Sequence, residues 1–298
     1  MLRVLAGVGL AALAALLVAA GGSAAPSARY YLALGDSLSQ GMQPDVQGVT
    51  RDTDEGYADQ LFAQLHRHIP GLRLVKLGCG GESTHSMITG HGHDRNARLL
   101  HCDRAGGSQL RAAIRFLRAH HGRGEVPVLT IDIGANDVDN CISVPASQLG
   151  ACLAHGEAEM KHDLPIVLGA LRRAAPRGTA LAGMTLYDPV LTEYFDPSSS
   201  AQAMWRASIP IVKDVNDIIT RADQGSGFRT ADVAGAFHTY DSTSTVPFEG
   251  SSIPLDVARV CSWTWVCSPP PRMEGERYPL SLSETSHCKA ATVLEPLR

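Results

Sequence analysis

The alternation of apolar runs with helical patterns constrains this chain more than any other feature. Past residue 28, Arg29 to Leu34, Leu72 to Leu77, Val126 to Ile133, Ala180 to Leu186 and Phe228 to Val233 read as strands. Between them lie segments with helical periodicity. These are Tyr57 to His68, with Tyr57, Leu61, Phe62 and Leu65 on one face, then Ser108 to Arg118, Glu157 to Ala174 and Ala201 to Arg221. Pro165 is expected to interrupt the third helix near its start, and Pro210 falls inside the fourth. Strands this apolar are buried on both faces, and strand, helix, strand in this rhythm means a parallel sheet covered on both sides. Everything after about Thr239 is expected to be loop-rich. In such sheets ligands bind beyond the carboxyl ends of the strands, so the reactive groups are sought there.

Composition removes several classes of function. Of 298 residues, 44% are hydrophobic and 19% charged, which is ordinary globular usage and not that of a disordered or fibrous chain. With 26 Lys+Arg against 30 Asp+Glu, a net charge of -4 and no basic cluster longer than Arg172-Arg173, the chain has no nucleic-acid footprint. At the amino end, Arg3, the small-apolar run Val4 to Ala20 and Gly21-Gly22-Ser23-Ala24-Ala25 form the pattern of a secretory signal over residues 1–28. Cleavage is expected between Ala24 and Ala28. The competing reading, an uncleaved anchor, needs roughly 18 to 20 apolar residues, and this run falls just short. No other stretch could span a bilayer, so no stable membrane span is expected. Loss of Arg3 would move the net charge from -4 to -5.

Cysteine usage agrees with export. Cys79 and Cys102, Cys141 and Cys152, and Cys261 and Cys267 are sequence-local pairs that an oxidising compartment would close, although spacing prefers this connectivity without fixing it. Cys288 is left over. A structural zinc site is disfavoured because no two cysteines stand at Cys-x-x-Cys spacing. His85, His91, His93 and His101 cluster between Cys79 and Cys102, but their loose spacing suits a solvated loop better than a metal site, and no metal is assigned.

Three turns, each following its own strand, could carry chemistry. Leu34-Gly35-Asp36-Ser37-Leu38-Ser39 leaves the first strand with a serine at the functional edge, where its hydroxyl could be a nucleophile and its N–H an oxyanion donor. Because position 39 is Ser, this is not the Gly-x-Ser-x-Gly elbow. The bland alternative is a helix N-cap. Leu77-Gly78-Cys79-Gly80-Gly81-Glu82-Ser83-Thr84 offers backbone N–H groups to an anion. Ile133-Gly134-Ala135-Asn136-Asp137 adds a side-chain amide of the kind acyl transfer needs at a developing oxyanion. Asp36 and Asp137 are expected to fix these loops as hydrogen-bond acceptors.

Gly35-Asp36-Ser37-Leu38, Gly81 within its glycine turn, and Gly134-Ala135-Asn136-Asp137 resemble the first three blocks of the SGNH (GDSL) hydrolases, in particular secreted actinobacterial esterases with three disulfides. The likeness covers roughly residues 29 to 268. It implies a three-layer α/β/α sandwich of the flavodoxin-like kind with a central parallel sheet, forming a single domain over 29–298. It also implies Ser37 as nucleophile and the Ser37 N–H, Gly81 N–H and Asn136 amide as oxyanion hole. The activity implied is carboxylic ester hydrolysis, on short-chain acyl or lipid esters, with no cofactor needed; a monomer is the default expectation for a secreted chain of this kind.

The fourth block departs from the family. Where Asp-x-x-His-Pro is usual, the chain has Glu284-Thr285-Ser286-His287-Cys288, so 273–298 is an atypical tail. Glu284 could still orient His287 as the base that accepts the Ser37 proton. The other reading is a catalytically impaired or C-terminally truncated SGNH-fold protein that binds an ester, glycan or lipid. His238 is the substitute base should the tail not serve. Trp263 and Trp265 either line the cleft or pack on the Cys261–Cys267 bridge.

Overall fold

The structure is a computed structural model and describes residues 28–45, 49–91 and 107–267. In chain order it runs β1 (Arg29–Gly35), α1 (Ser37–Gln40), a two-stranded ribbon of β2 (Gln43–Pro44) and β3 (Thr50–Arg51), α2 (Tyr57–Leu65), β4 (Leu72–Lys76), α3 (Thr84–Thr89), α4 (Gln109–Ala119) and β5 (Val128–Asp132). It continues with α5 (Ala146–Ala174), β6 (Ala180–Met184), α6 (Ser199–Ser226), β7 (Arg229–Ala231), α7 (Val233–Ala236), the hairpin β8 (Thr245–Phe248) and β9 (Ser251–Pro254), and α8 (Leu255–Trp263). Short 3-10 turns cover Ala135–Asp137, Asp139–Ser143 and Pro189–Phe195.

The main sheet has the order β4-β1-β5-β6-β7, and every pair in it is parallel. The period of two along β1 divides its side chains between two layers. Leu32 and Leu34 face the cluster built with α3, α4, α5 and α6, around Met87, Leu117, Met160, Leu168 and Ile219. Tyr31 and Ala33 face the opposite layer, where Tyr57, Ala58 and Leu61 of α2 cover the sheet. Burial on both faces explains the near-continuous apolar runs. A third cluster, around Leu191, Trp205, Phe237 and Val257, joins α6 to the C-terminal hairpin and α8.

Several expectations are corrected. The segment after Thr239 is not merely loop, because β8, β9 and α8 order it through Ile253, Val257 and Val260. The third long helix begins at Ala146 and not at Glu157, and Pro165 lies well inside it. Lys161, whose carbonyl loses its helical donor at Pro165, is exposed, so water can replace the bond. Helix α6 likewise runs through Pro210. The cysteine bridges Cys141–Cys152 and Cys261–Cys267 are closed, and Cys79 is disulfide-bonded, while Cys102 and Cys288 lie outside the described residues. Among the described residues no helix is long and apolar enough to cross a membrane.

Candidate active site

Strand order reverses at β1, which has β4 on one side and β5 on the other, so the crevice at its carboxyl end is the switch point of the sheet. The β1–β5 register pairs Gly35 with Asp132, and therefore Ser37 and Asn136 leave neighbouring strands at nearly the same height. On the other side the Cys79 N–H donates to the Gly35 carbonyl at 3.0 Å, which draws the glycine turn against the Ser37 turn. Ser37, half-buried, opens α1, and the Asp36 carboxylate caps it by accepting from the Leu38 N–H at 2.9 Å.

Glycines make these approaches possible. Gly35 has φ +129°, and a Cβ there would stand 2.0 Å from the Asp132 carbonyl oxygen. At Gly78 a Cβ would stand 1.8 Å from Ser39 Oγ, whose hydroxyl donates to the Asp36 carbonyl at 2.8 Å.

The Asn136 side chain joins the three turns. Its Nδ2 donates to the Glu82 carbonyl at 2.9 Å and to Asp36 Oδ2 at 3.2 Å, placing the amide between the glycine turn and the Ser37 turn. Asp137 fixes the next position by accepting from the N–H of Thr84 at 3.0 Å and from the Thr84 hydroxyl. Both aspartates thus serve as the loop-fixing acceptors that their positions suggested. Among the described residues no acceptor is bonded to the N–H of Ser37 or Gly81, and Ser37 as the first helical residue has none within α1.

The electrostatics are acidic. Burial pushes the Asp36 carboxyl up, against the hydrogen bonds it accepts, and pushes the Asp132 carboxyl well up, with the charge of Asp36 raising Asp132 further. Burial also pushes Asp137 up to about 7 against its two bonds from Thr84. Asp139 exposes surface to a cavity yet is packed round by protein atoms, and that loss of solvent pushes it up to about 7, with Asp36, Asp188 and Asp137 adding their charge. The cavity, about 360 Å³, begins at Ala135 beside Asn136 and runs between α5, α6 and two 3-10 turns past Leu153, Leu186, Met204 and Val212. The Cys141–Cys152 bridge ties one of those turns to α5.

Two residues escaped the sequence. Gln109, the first residue of α4, accepts from the Gly35 N–H at 2.8 Å and donates to the Gly35 carbonyl and to Glu82 Oε2, both at 2.9 Å. Nothing in its local sequence announces this clamp. Asp132 is fully buried under Asp36, and its only signal was a carboxylate inside an apolar run.

Glu284 and His287 lie outside the described residues, as do His93 and His101. His238 is exposed at the end of α7 with φ +54°. It follows β7, three strands from β1, or roughly 14 Å at ordinary strand spacing. Trp263 packs edge-on to Phe237 beside the Cys261–Cys267 bridge, with Arg259 over its ring, whereas Trp265 is exposed.

Residues 33–248 match the GDSL-like Lipase/Acylhydrolase family, well over half of the chain. Similar solved structures include an extracellular lipase from Streptomyces rimosus, at 19% identity, covering 76% of this chain and 93% of that one with a TM-score of 0.46. A phospholipase A1 from Streptomyces albidoflavus shows 17% identity, 78% and 95% coverage and a TM-score of 0.45. A carbohydrate acetylesterase from Sinorhizobium meliloti shows 15%, 78% and 93%, and 0.41. No curated protein matches the chain significantly.

Proposed function

Because the chain belongs to the GDSL-like Lipase/Acylhydrolase family, we propose that it is a serine esterase hydrolysing carboxylic esters through Ser37. The observation that carries this reading is the joining of Ser37, the Gly81 turn and Asn136 at one switch point through the Asn136 bonds to Glu82 and Asp36. In it Ser37 Oγ attacks the ester carbonyl, and its proton passes to a histidine and then to the leaving alcohol. The N–H groups of Ser37 and Gly81 and the Asn136 amide receive the oxyanion. Water, deprotonated by the same histidine, cleaves the acyl-enzyme to release the acid and restore Ser37. No cofactor enters these steps.

The apolar cavity beside Asn136 is the place for the acyl chain, and its volume lies at the small end of the ordinary ligand-pocket range of about 300–1,000 Å³. The base proposed is His287, oriented by Glu284. Export with loss of residues 1–28 is supported by the closed bridges, and is tested by whether the chain appears in the medium without that segment.

The test is the initial rate of p-nitrophenyl butyrate and decanoate hydrolysis by the protein from Arg29 onward. Asn136→Ala is expected to lower kcat by about 10²- to 10³-fold, the usual cost of one oxyanion donor, with KM little changed. Full kcat in that variant would remove Asn136 from the hole. His287→Ala is expected to abolish turnover and His238→Ala to keep it; the reverse would move the base to His238. Folded wild-type protein that turns over neither ester would favour an ester-binding role instead.

A further inference from the structure

Because every pair in the main sheet is parallel, the amino ends of the strands lie together on the edge opposite the Ser37 turn. An arginine stands at each of them: Arg73 in β4, Arg29 in β1, Arg123 and Arg177 in the turns that lead into β5 and β6, and Arg229 in β7. All five are exposed. Neighbouring strands lie about 4.8 Å apart, so the row crosses the sheet in roughly 20 Å. The sequence does not show it, because the five are scattered between positions 29 and 229 and only the fold lines them up.

Hydrogen bonds fix the turns that carry the row. The Tyr30 N–H donates to the Glu125 carbonyl at 2.7 Å, the Ala180 N–H to the Pro127 carbonyl at 2.8 Å and Thr179 Oγ1 to the Val126 carbonyl at 2.7 Å. The turn before β5 is thereby held between β1 and the turn before β6. Arg123 and Arg177 line one hollow there with His121 and Gly178. A second hollow continues past Arg177 to Arg172, whose Nη1 donates to the Gly227 carbonyl at 3.2 Å in the turn before β7.

The charge on this edge is uncompensated. Residues 66–71, 120–127, 175–179 and 227–228, which lead into the strands, include one carboxylate, Glu125, and its Oε2 accepts from the Gly122 N–H at 3.0 Å. Among the described residues Arg29, Arg73, Arg123 and Arg177 form no ion pair. The opposite edge carries Asp36, Asp132, Asp137, Asp139 and Asp188, so a chain of negative net charge is basic along one edge. Cations set side by side repel one another until a counter-charge reaches them, and the guanidinium fork matches phosphate oxygens. A row of them suits a polymer that presents phosphates at intervals. Among the described residues no exposed large apolar side chain lies in these turns to enter a lipid surface or to stack on bases.

We propose that this edge binds a linear phosphate polymer, with Arg123 and Arg177 at the centre of the contact, and so holds the protein with its Ser37 edge directed away from the polymer. The proposal does not depend on the esterase reading.

The experiment measures binding of long-chain inorganic polyphosphate to the protein from Arg29 onward as salt is raised. Two double variants stand beside wild type: Arg123→Gln with Arg177→Gln, and Arg111→Gln with Arg206→Gln, which removes the same charge from the early turns of α4 and α6. Thermal melts establish that all three are folded. Wild type is expected to bind, and to bind less tightly as salt rises. The Arg123/Arg177 variant is expected to bind at least about 10-fold more weakly at low salt and to flatten the slope of log K against log salt by about 1.4, the share of two phosphate contacts. The Arg111/Arg206 variant is expected to bind as wild type does. No binding by folded wild type, or equal weakening in both variants, would overturn the proposal. Displacement of the polymer by inorganic phosphate at equal phosphate concentration would reduce the edge to a single-anion site, and tighter binding to phosphatidylglycerol vesicles would make it a lipid surface; either overturns the polymer. Ester hydrolysis by the Arg123/Arg177 variant is expected to equal that of wild type, and a wild type that binds polyphosphate without hydrolysing esters would overturn the esterase reading alone.

Discussion

Replacing Ser37 by Ala is expected to lower kcat for p-nitrophenyl butyrate by on the order of 10⁶-fold, to the background of the assay. The size follows from what the hydroxyl does. Without Oγ no acyl-enzyme forms, and what remains is the stabilisation that the Ser37 N–H, the Gly81 N–H and the Asn136 amide give to direct attack by water. That remainder is expected to exceed the uncatalysed rate by about 10³- to 10⁴-fold. The substitution leaves the fold intact, because Ser37 is half-buried and the α1 cap runs through Asp36 and the Leu38 N–H. Equal melting temperatures for the two proteins check this. A variant that kept wild-type kcat would require another nucleophile.

Gly35→Ala is expected to act through stability. The position has φ +129°, and the new Cβ would stand 2.0 Å from the Asp132 carbonyl and 2.4 Å from Asp132 Oδ1. Backbone strain of this kind alone costs about 1–3 kcal/mol. The clash then forces β1 away from β5 where Gln109 clamps Gly35 from both its N–H and its carbonyl. A total above about 3 kcal/mol corresponds to a fall in Tm of about 10 °C for a chain of this size. Thermal unfolding followed by circular dichroism reads it, and an unchanged Tm would show that the β1 exit is not a rigid point of the fold.

What could be read from the sequence was what is local. Each strand of the main sheet is an apolar run bounded by glycine or polar residues, and the chemistry-bearing turns follow β1, β4 and β5 directly. Parallel pairing then places those turns side by side without further information. The start of α5 was harder, because Gly150 and Gly156 look like breaks. Gly156 is there for close approach, since a Cβ on it would stand 2.2 Å from the Asp137 carbonyl. The C-terminal hairpin and α8 were missed because their order comes from packing on α6 and the 3-10 turn at Pro189–Phe195, not from their own periodicity.

The least legible part was the layer beneath Ser37. Tyr31 and Thr130 are 99 positions apart, Tyr57 and Asp132 75, and Gly35 and Gln109 74. Each of these residues has an adequate local explanation as strand or helix. Only the fold brings them together, and there they decide how Asp36 is held.

Reaction of the protein with diisopropyl fluorophosphate, followed by peptide mass spectrometry, tests the central claim most directly, because the reagent phosphorylates an activated serine and releases fluoride. One adduct on Ser37, absent from Ser37→Ala and accompanied by loss of ester hydrolysis, is the expected result. Full activity with Ser37 unmodified, or an adduct on a different serine, would contradict it.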